Sequence, residues 1–262
     1  MSLKLIFICF YCSCILFLPI SLLLKEASHY LWLNFWDRAT EPVALSAYSV
    51  TLSMACIACF INTIFGFIIA WSLARYKFKL SRFIDAIIDL PFALPTSVAG
   101  FTLCIVYSES GPFRVILENL NIQIVYTKLG ILLAMLFVSL PFIIRSVQPI
   151  ITLIDKEIEE AAWSLGASPW ITFSKIIFPN LISALSTGVT LAFSRAIGEY
   201  GSIVIISSNF AMKDLIVPVL IFQYLEQYDY IGATVIGSVI LFISLSLLFF
   251  INWIQKRPFF NF

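Results

Sequence analysis

Six apolar stretches, each long enough or nearly long enough to cross a bilayer, recur along this chain of 262 residues. A bilayer core about 30 Å thick needs about 20 predominantly apolar residues per helix. Hydrophobic residues make up 61% of the chain and charged residues 12%, and the mean hydropathy is +0.99, which excludes an ordinary water-soluble domain. We therefore predict an all-α polytopic membrane protein with about six transmembrane helices. The predicted spans are 5–24, 49–74, 91–107, 130–147, 181–207 and 232–253.

Two apolar segments differ from an ordinary membrane span. The run at 5–24 follows Lys4, as in a signal peptide, but it is long enough to span and no small-residue cleavage pattern follows it, so we expect a retained first helix. The run at 215–224 is too short to cross, and we expect a re-entrant or interfacial piece broken by Pro218.

The distribution of lysine and arginine predicts the orientation in the membrane. With the N-terminus inside, the inner segments hold ten of these residues, Lys256 and Arg257 among them, and the outer loops hold five. Both termini are therefore predicted on the cytoplasmic side, together with a polar interruption at residues 154–180.

This polar interruption has the pattern of two short helices joined by a turn. Gly166 stands where a helix end needs a residue that tolerates positive φ. Ser168 and Pro169 supply an N-cap and a first-turn proline for a second helix, and Pro179 is expected to close the unit before the next span. The predicted apolar face of the first helix consists of Ile154, Ile158, Ala161, Ala162 and Leu165. The predicted polar face consists of Lys156, Glu157, Glu159 and Glu160.

The charge of that polar face separates two interpretations. Helices that lie on a membrane surface usually carry Lys and Arg on the polar face. This helix is acidic instead, at Glu157, Glu159 and Glu160. A protein partner is therefore favoured over the lipid surface.

The same residues resemble a known motif. Glu160-Ala-Ala162, then Gly166, then Ile176 and Phe178-Pro179, is similar to the EAA loop of binding-protein-dependent ABC importer permeases, with Phe178 where Leu is usual. The resemblance implies that the loop couples the chain to a separate ATP-hydrolysing subunit. The coupling residues that it implies are Glu160, Ala161, Ala162, Gly166 and Pro179. The sequence also lacks a GxxxxGK[ST] phosphate loop, so ATP is expected to be hydrolysed by that subunit.

The fifth predicted span contains two charged residues, Arg195 and Glu199. Charged side chains within a span cost free energy of membrane insertion, so they indicate a functional role. Their spacing of four also permits an intrahelical ion pair, so a structural role and a role in the conducting path both stay open. Small and polar residues recur around them as a stripe that suits a tight helix contact or a pore wall. The stripe consists of Ser183, Thr187, Thr190, Ser194, Gly198 and Gly201.

Two prolines, Pro91 and Pro95, interrupt the third predicted span. Carbonyl groups freed by a proline at membrane depth are tolerated mainly beside protein or water. A kink along the transport pathway and a loop entering the bilayer are both compatible with this pattern.

Four further stretches resemble the T-type permease subunit of sulfate/thiosulfate importers, from about residue 45 onward. They are Asp89-Leu-Pro-Phe-Ala-Leu-Pro-Thr96, Leu140-Pro-Phe-Ile-Ile-Arg145-Ser-Val-Gln-Pro149, Arg195-Ala-Ile-Gly-Glu199-Tyr-Gly201-Ser, and Ile216-Val-Pro218 through Glu226-Gln-Tyr-Asp-Tyr230. Molybdate permeases are the nearest alternative and tend to have Phe where Tyr200 stands.

This resemblance implies a type I ABC importer permease in which residues 1–262 form a single transmembrane domain. It implies a second, similar permease chain, two ATPase subunits, an extracytoplasmic sulfate-binding protein and alternating access. The chain is rich in Phe and Ile, which suits an A+T-rich genome, so a plastid inner envelope is favoured over a bacterial plasma membrane.

Other classes of function are disfavoured by the sequence. We find no catalytic constellation of nucleophile, base or paired carboxylates with histidine, so we expect a transport subunit and not an enzyme. We expect no cofactor and no metal, because His29 stands alone, and no nucleic-acid partner, because the net charge is only +1. The remaining alternatives are a permease for molybdate or another oxyanion and an ATP-independent anion channel.

Overall fold

The computed structural model describes residues 3–29 and 32–255. Within these ranges the chain forms fifteen α-helices and no strand. Five of its helical stretches are long and apolar enough to cross a membrane, and a bent pair of helices adds a sixth crossing when counted as one span. The predicted all-α membrane fold is confirmed. Lys256 and Arg257, which contribute to the predicted orientation, lie outside the described residues.

In chain order the helices are α1 (Leu3–Cys12), α2 (Leu18–His29), α3 (Trp32–Ala39), α4 (Pro42–Arg75), α5 (Ser81–Ile88), α6 (Leu90–Ala93), α7 (Thr96–Tyr107), α8 (Arg114–Asn119), α9 (Lys128–Leu153), α10 (Lys156–Ser164), α11 (Pro169–Thr172), α12 (Phe178–Ile197), α13 (Ile203–Ile206), α14 (Val217–Glu226) and α15 (Tyr230–Gln255). A π-helical turn, Ser13–Phe17, joins α1 to α2, and a second, Phe173–Ile177, joins α11 to α12.

The centre of the bundle is the contact of α4 with α9 and α12. Small side chains allow membrane helices to approach closely, and α4 buries several alanines completely: Ala44, Ala47, Ala55, Ala58 and Ala70. The Asn62 side-chain amide donates to the Leu136 carbonyl and the Ser139 hydroxyl of α9, each at 2.9 Å. The Cys59 thiol donates to the Val189 carbonyl of α12 at 3.4 Å. These bonds satisfy polar groups within the bundle and align the three helices.

The two ends of the bundle follow from this alignment. Helix α4 runs toward Arg75 and α9 toward Leu153, and the insert at residues 154–180 follows there. We call this the insert end. Lys128 begins α9 at the opposite, far end, where Gly130 packs against Ile206.

The third predicted span, 91–107, is not one helix. It consists of Ser81–Ala93 followed by Thr96–Tyr107, with an angle of 115° between them. Leu94 adopts an extended conformation (ψ 134°) because the ring of Pro95 disfavours a helical residue before it. Pro91 lies in the first turn of α6, where a proline is tolerated. The break therefore occurs at Pro95, and the apolar segment begins ten residues earlier than predicted.

The fifth predicted span, 181–207, is wrong at both ends. Helix α12 ends at Ile197, and a short turn separates it from α13. At its start, Pro179 does not close the insert, because the chain is helical from Pro169 to Ile197. The π-helical turn ends at Ile177, two residues before Pro179, and a proline removes a backbone donor and crowds the preceding turn.

The short apolar segment near residue 218 also differs from the prediction. Pro218 lies in the first turn of α14 and begins this helix; it does not break it. Val217, Val219 and Leu220 are buried, and α14 packs against α15 and α4.

Candidate coupling and translocation site

Gly166 ends α10 in the left-handed conformation, with φ of 85°. The Ala167 amide donates to the Ala162 carbonyl at 3.0 Å, and the Gly166 amide donates to the Trp163 carbonyl at 2.9 Å. Together these bonds form a Schellman motif, which satisfies carbonyls that the helix end leaves unpaired. A Cβ at position 166 would meet no atom within 4 Å, so the backbone conformation, not space, favours glycine. The predicted turn is confirmed.

The second helix of the insert also begins as predicted. The Ser168 hydroxyl accepts a hydrogen bond from the Ile171 amide at 3.3 Å, and Pro169 occupies the first turn. The helix then continues into α12, so the second half of the insert and the membrane helix form one element.

The inner face of α10 differs from the predicted one. Ala162 is buried as expected, but Glu159, predicted on the polar face, also points inward, and its carboxylate lies 2.6 Å from the Arg75 guanidinium. Ile158 and Leu165, predicted to pack inward, are 46% and 89% exposed. The predicted helical spacing is correct, but the ion pair with Arg75 of α4 determines which face of α10 packs inward.

The insert consequently exposes large apolar side chains around the predicted coupling residues. Glu160 and Ala161 are exposed, while Pro179 is partly buried. The apolar side chains exposed on the insert are Ile158, Trp163, Leu165, Trp170 and Ile171. Leu165 and Trp170 flank the glycine turn on either side in sequence.

Arg195 and Glu199 form the ion pair that their spacing permits. Arg195 lies in the last turn of α12 and Glu199 lies just past its C-terminal Gly198, with 2.5 Å between Nη1 and Oε2. Glu199 is 1% exposed, and its Oε1 accepts bonds from the Ser202 amide (2.9 Å) and hydroxyl (2.6 Å). The Arg195 side chain is 30% exposed. The structural pair is present, and contact with a substrate stays a prediction.

The segment that carries Glu199 packs on the broken third span. A Cβ on Gly201 would overlap the Thr96 hydroxyl, and a Cβ on Gly100 would overlap the Ser202 backbone. The first turns of α7 therefore lie directly against residues 198–202. The turn after α12 and the break before α7 therefore lie next to each other, in the half of the bundle that is nearer the far end.

The other predicted pathway prolines and polar residues are spread along this region. Pro95 is exposed at the break, whereas Pro91 lies in α6, where neighbouring Phe92 contacts Phe142 of α9 at 5.1 Å between ring centroids. Ser183, Thr187, Ser194 and Gly198 are exposed along α12, and Thr190 is partly buried.

The hydroxyl groups of this stripe bond to their own helix. Thr187 donates to the Ser183 carbonyl at 2.9 Å, and Ser194 donates to the Thr190 carbonyl at 2.9 Å. Their oxygens face outward as acceptors, so donation to an anion requires the hydroxyl proton to rotate away from the helix.

Sequence reasoning missed two ion-paired arginines. Arg145 of α9 binds both Asp85 and Asp89 of the bent span, and Arg75 of α4 binds Glu159 of the insert. Arg145 stands in an otherwise apolar span, a signal that could have identified it. Nothing local indicates its partners, which lie 56 and 60 residues away.

A helical membrane bundle with a helix–glycine–helix insert between two spans is consistent with a transport permease. Residues 62–259 match the family described as "Binding-protein-dependent transport system inner membrane component". The match covers most of the chain, including the insert and the Arg195–Glu199 region, so this protein belongs to that family and is an integral membrane protein with several spans.

Among its relatives is the "Probable sulfate transport system permease protein cysT" of Mesostigma viride, 62% identical over 241 residues, which are 92% of this chain and 90% of the relative. Proteins of the same description from Chlorokybus atmophyticus and Nephroselmis olivacea are 60% and 59% identical, each over 92% of this chain and 84% of the relative.

Solved structures agree on the fold. A chain of a bacterial alginate ABC transporter, crystallised with an alginate pentasaccharide-bound periplasmic protein, matches with a TM-score of 0.80 at 15% identity over 97% of this chain and 93% of its own. A chain of the MetNI methionine ABC transporter matches with a TM-score of 0.60 at 20% identity over 83% and 96%.

Proposed function

We propose that this chain is the membrane-spanning permease of an ATP-driven importer for sulfate or thiosulfate, with residues 1–262 forming one permease domain. The observation that carries the proposal is the insert, in which Leu165 and Trp170 are 89% and 73% exposed beside the acidic Glu160. Exposed apolar groups of this size mark a surface for a protein or a membrane, and the acidic residues beside them favour a protein partner.

The proposed partner on the insert is a separate ATP-hydrolysing subunit. Glu160, Ala161, Ala162 and Gly166 are the proposed coupling residues, since they shape α10 and its turn. Pro179 lies in the first turn of α12, just after the π-helical turn that joins this helix to the insert. Two such ATPase subunits are expected, one for each of two permease chains.

A second permease chain is proposed to cover the polar stripe of α12. Ser183, Thr187, Ser194 and Gly198 are exposed on this chain alone. Polar groups facing lipid are unfavourable, whereas small and polar groups suit helix contacts and pore walls. The stripe therefore supports a pathway between two similar subunits.

The proposed pathway passes Arg195. Its guanidinium supplies positive charge to an oxyanion, while Glu199 neutralises part of that charge and fixes its position. Such a site attracts an anion without retaining it, as transport requires. Thr187, Thr190 and Ser194 lie on the same helix. Thr96, just after the break at Pro95, lies against Gly201, two residues from Glu199. Pro91 is proposed to line the pathway on the insert side of that break.

The identity of the transported anion and the membrane in which this protein lies are supported by its relatives. Proteins named as probable sulfate permeases are 59–62% identical to this chain, and they come from algae, which supports sulfate over molybdate and supports a plastid inner envelope. The family's description supports an extracytoplasmic binding protein that delivers the anion.

The proposal is tested by uptake of labelled sulfate into vesicles that contain the assembled transporter. We expect uptake to require ATP and to be reduced by unlabelled thiosulfate more than by molybdate or phosphate. Uptake without ATP would indicate a channel, and stronger competition by molybdate would reassign the cargo; either result would contradict the proposal.

The docking surface is tested separately. Leu165→Glu should reduce co-purification of the ATPase subunit by roughly tenfold, since a charge would enter an apolar contact. Leu120→Glu is the matched control, because Leu120 is a similarly exposed leucine (60%) in the loop before α9, away from the insert. The docking role would be refuted if both variants co-purify as much ATPase subunit as the unaltered chain does.

A further inference from the structure

We propose that the ion pair between Arg75 and Glu159 is the joint through which movement of the insert drives α4. The inference deepens the proposed function, because it assumes that an ATPase subunit moves the insert. Arg75 and Glu159 are positioning residues here, since neither is proposed to touch the anion.

The first observation concerns how few side chains attach α10 to the rest of the protein. Of its nine residues, only Ala162 is buried and only Glu159 is partly buried; the other seven are exposed. Glu159 and Ala162 are three residues apart and therefore share one face. Apart from the backbone at its two ends, a force applied to the exposed surface of α10 reaches the bundle through these two side chains, and only Glu159 makes a polar contact there.

The second observation concerns the receiving residue. Arg75 is the last residue of α4, its side chain is 12% exposed, and its guanidinium lies 2.6 Å from the Glu159 carboxylate, which is 17% exposed. The guanidinium also lies over the Trp71 ring at 5.3 Å, and Trp71 contacts the Phe173 ring edge-on at 5.5 Å. The end of α4 is thus bound to both halves of the insert, by a charge pair on one side and by aromatic rings on the other.

The joint has room to move. A cavity of about 370 Å³ adjoins the pair and is lined by Trp71, Tyr76, Lys156, Glu160 and Trp163. The Arg75 Nη2 and the Glu159 Oε1 are 2.6 Å apart, but neither atom makes a hydrogen bond with a described residue, and the buried Arg75 Nε makes none either. The pair is therefore a close charge contact without an aligned hydrogen bond, and its groups remain available for a second arrangement. A charge pair beside open space can pivot while it stays attracted, which close apolar packing does not allow.

Helix α4 is suited to carry the displacement across the bundle. Its 34 residues span about 50 Å at 1.5 Å per residue. Near the far end, the Thr51 hydroxyl accepts a hydrogen bond from the Val217 amide at 2.9 Å, and Glu41 accepts one from the Tyr224 hydroxyl at 3.1 Å. A shift of Arg75 is therefore transmitted along α4 to α14, which α4 contacts near the far end of the bundle.

The test compares four forms of the full transporter complex: unaltered, Arg75→Glu, Glu159→Arg, and both substitutions together. We expect each single variant to keep its ATPase subunit but to lose roughly tenfold in sulfate transported per ATP hydrolysed, because like charges now face each other. The double variant restores the opposite charges and should recover most of the loss. Glu118→Gln is the control, since Glu118 is an exposed carboxylate on α8, away from the insert, and it should keep the ratio.

A second readout does not depend on the cargo. Spin labels at Leu45→Cys and Leu120→Cys, both exposed, report the distance between α4 and the α8–α9 loop in a background without native cysteines. Addition of ATP should change this distance in the unaltered joint and in the charge-swapped joint, but not in the single variants.

Three results would overturn the inference: single variants whose transport ratio stays within about twofold of the unaltered value, single variants that lose the ATPase subunit, or a double variant that recovers nothing. Failure of the proposed function looks different, because the unaltered complex would then transport no sulfate with ATP. The label distances would still decide whether Arg75 and Glu159 form the joint.

Discussion

Arg145 binds the Asp89 carboxylate through two parallel hydrogen bonds, from Nε to Oδ1 at 2.8 Å and from Nη2 to Oδ2 at 2.7 Å. Its Nη1 also donates to the Asp85 carboxylate at 2.8 Å, and its Nη2 donates to the Asp85 carbonyl at 2.9 Å. One arginine of α9 thus fastens α5 and the following turn to the bundle. The planar fork of a guanidinium suits this two-point contact, which a lysine cannot reproduce.

We predict that Arg145→Lys destabilises the protein by about 1–3 kcal/mol, because charge-assisted bonds to Asp85 and Asp89 are lost while the charge is retained. Thermal unfolding of the detergent-solubilised chain, followed by tryptophan fluorescence, should show a lower midpoint. Arg114→Lys is the control, since Arg114 pairs with Glu118 on the surface, both more than half exposed. Equal midpoints for the two variants would contradict the role of Arg145.

A second prediction concerns the buried carboxylate of Glu199. Arg195→Gln should destabilise the protein by about 3–5 kcal/mol, because it leaves this carboxylate buried beside Ser202 without its cation. The double variant Arg195→Gln, Glu199→Gln should be less destabilised than the sum of the two single variants, since the uncompensated charge is then absent. Unfolding free energies of the three variants in detergent, from denaturant titration followed by tryptophan fluorescence, measure this, and additive losses would show that the two side chains act independently.

The membrane fold was predictable because hydropathy depends only on neighbouring residues. The predicted spans 49–74 and 130–147 lie within α4 and α9. The insert was also predictable, because Gly166 and Ser168 act through local backbone bonds. These features need no knowledge of distant parts of the chain.

The errors arose where contacts across the chain decide the outcome. Glu159 turns inward because Arg75 lies opposite, and the two are 84 residues apart in sequence. Helix α12 ends at Ile197 although the apolar run Ile203–Ile206 follows after five residues, since the Glu199 carboxylate bonds to Ser202 and the turn packs on α7. Hydropathy continues through such a turn, so it does not show where the helix ends.

A third prediction separates backbone conformation from side-chain size at Gly166. Gly166→Val should weaken the turn by about 1–2 kcal/mol, because a β-branched residue is strained at φ of 85°, although its side chain has open space. Gly166→Asn should be tolerated better, since asparagine adopts this conformation more readily. Co-purification of the ATPase subunit should fall for Val and persist for Asn; equal capture by both variants would show that the conformation of the turn is not needed for docking.

The final prediction concerns pH and the loop between α13 and α14. Burial by itself would raise the pKa of Asp214, but hydrogen bonds from the Ser208 hydroxyl and amide, the Ser207 hydroxyl and the Phe210 amide outweigh it and lower the pKa below the ordinary value of 3.8. A carboxylate with a lowered pKa stabilises the folded state fully above its unfolded-state pKa, and this contribution is lost as the pH falls through the folded-state pKa. Asp214→Asn should therefore lower the unfolding midpoint at pH 7, and the difference from the unaltered chain should shrink progressively below about pH 4. Thermal unfolding of both proteins between pH 7 and pH 3 measures that difference, and a gap that stays constant over this range would show that the charge of Asp214 does not stabilise the loop.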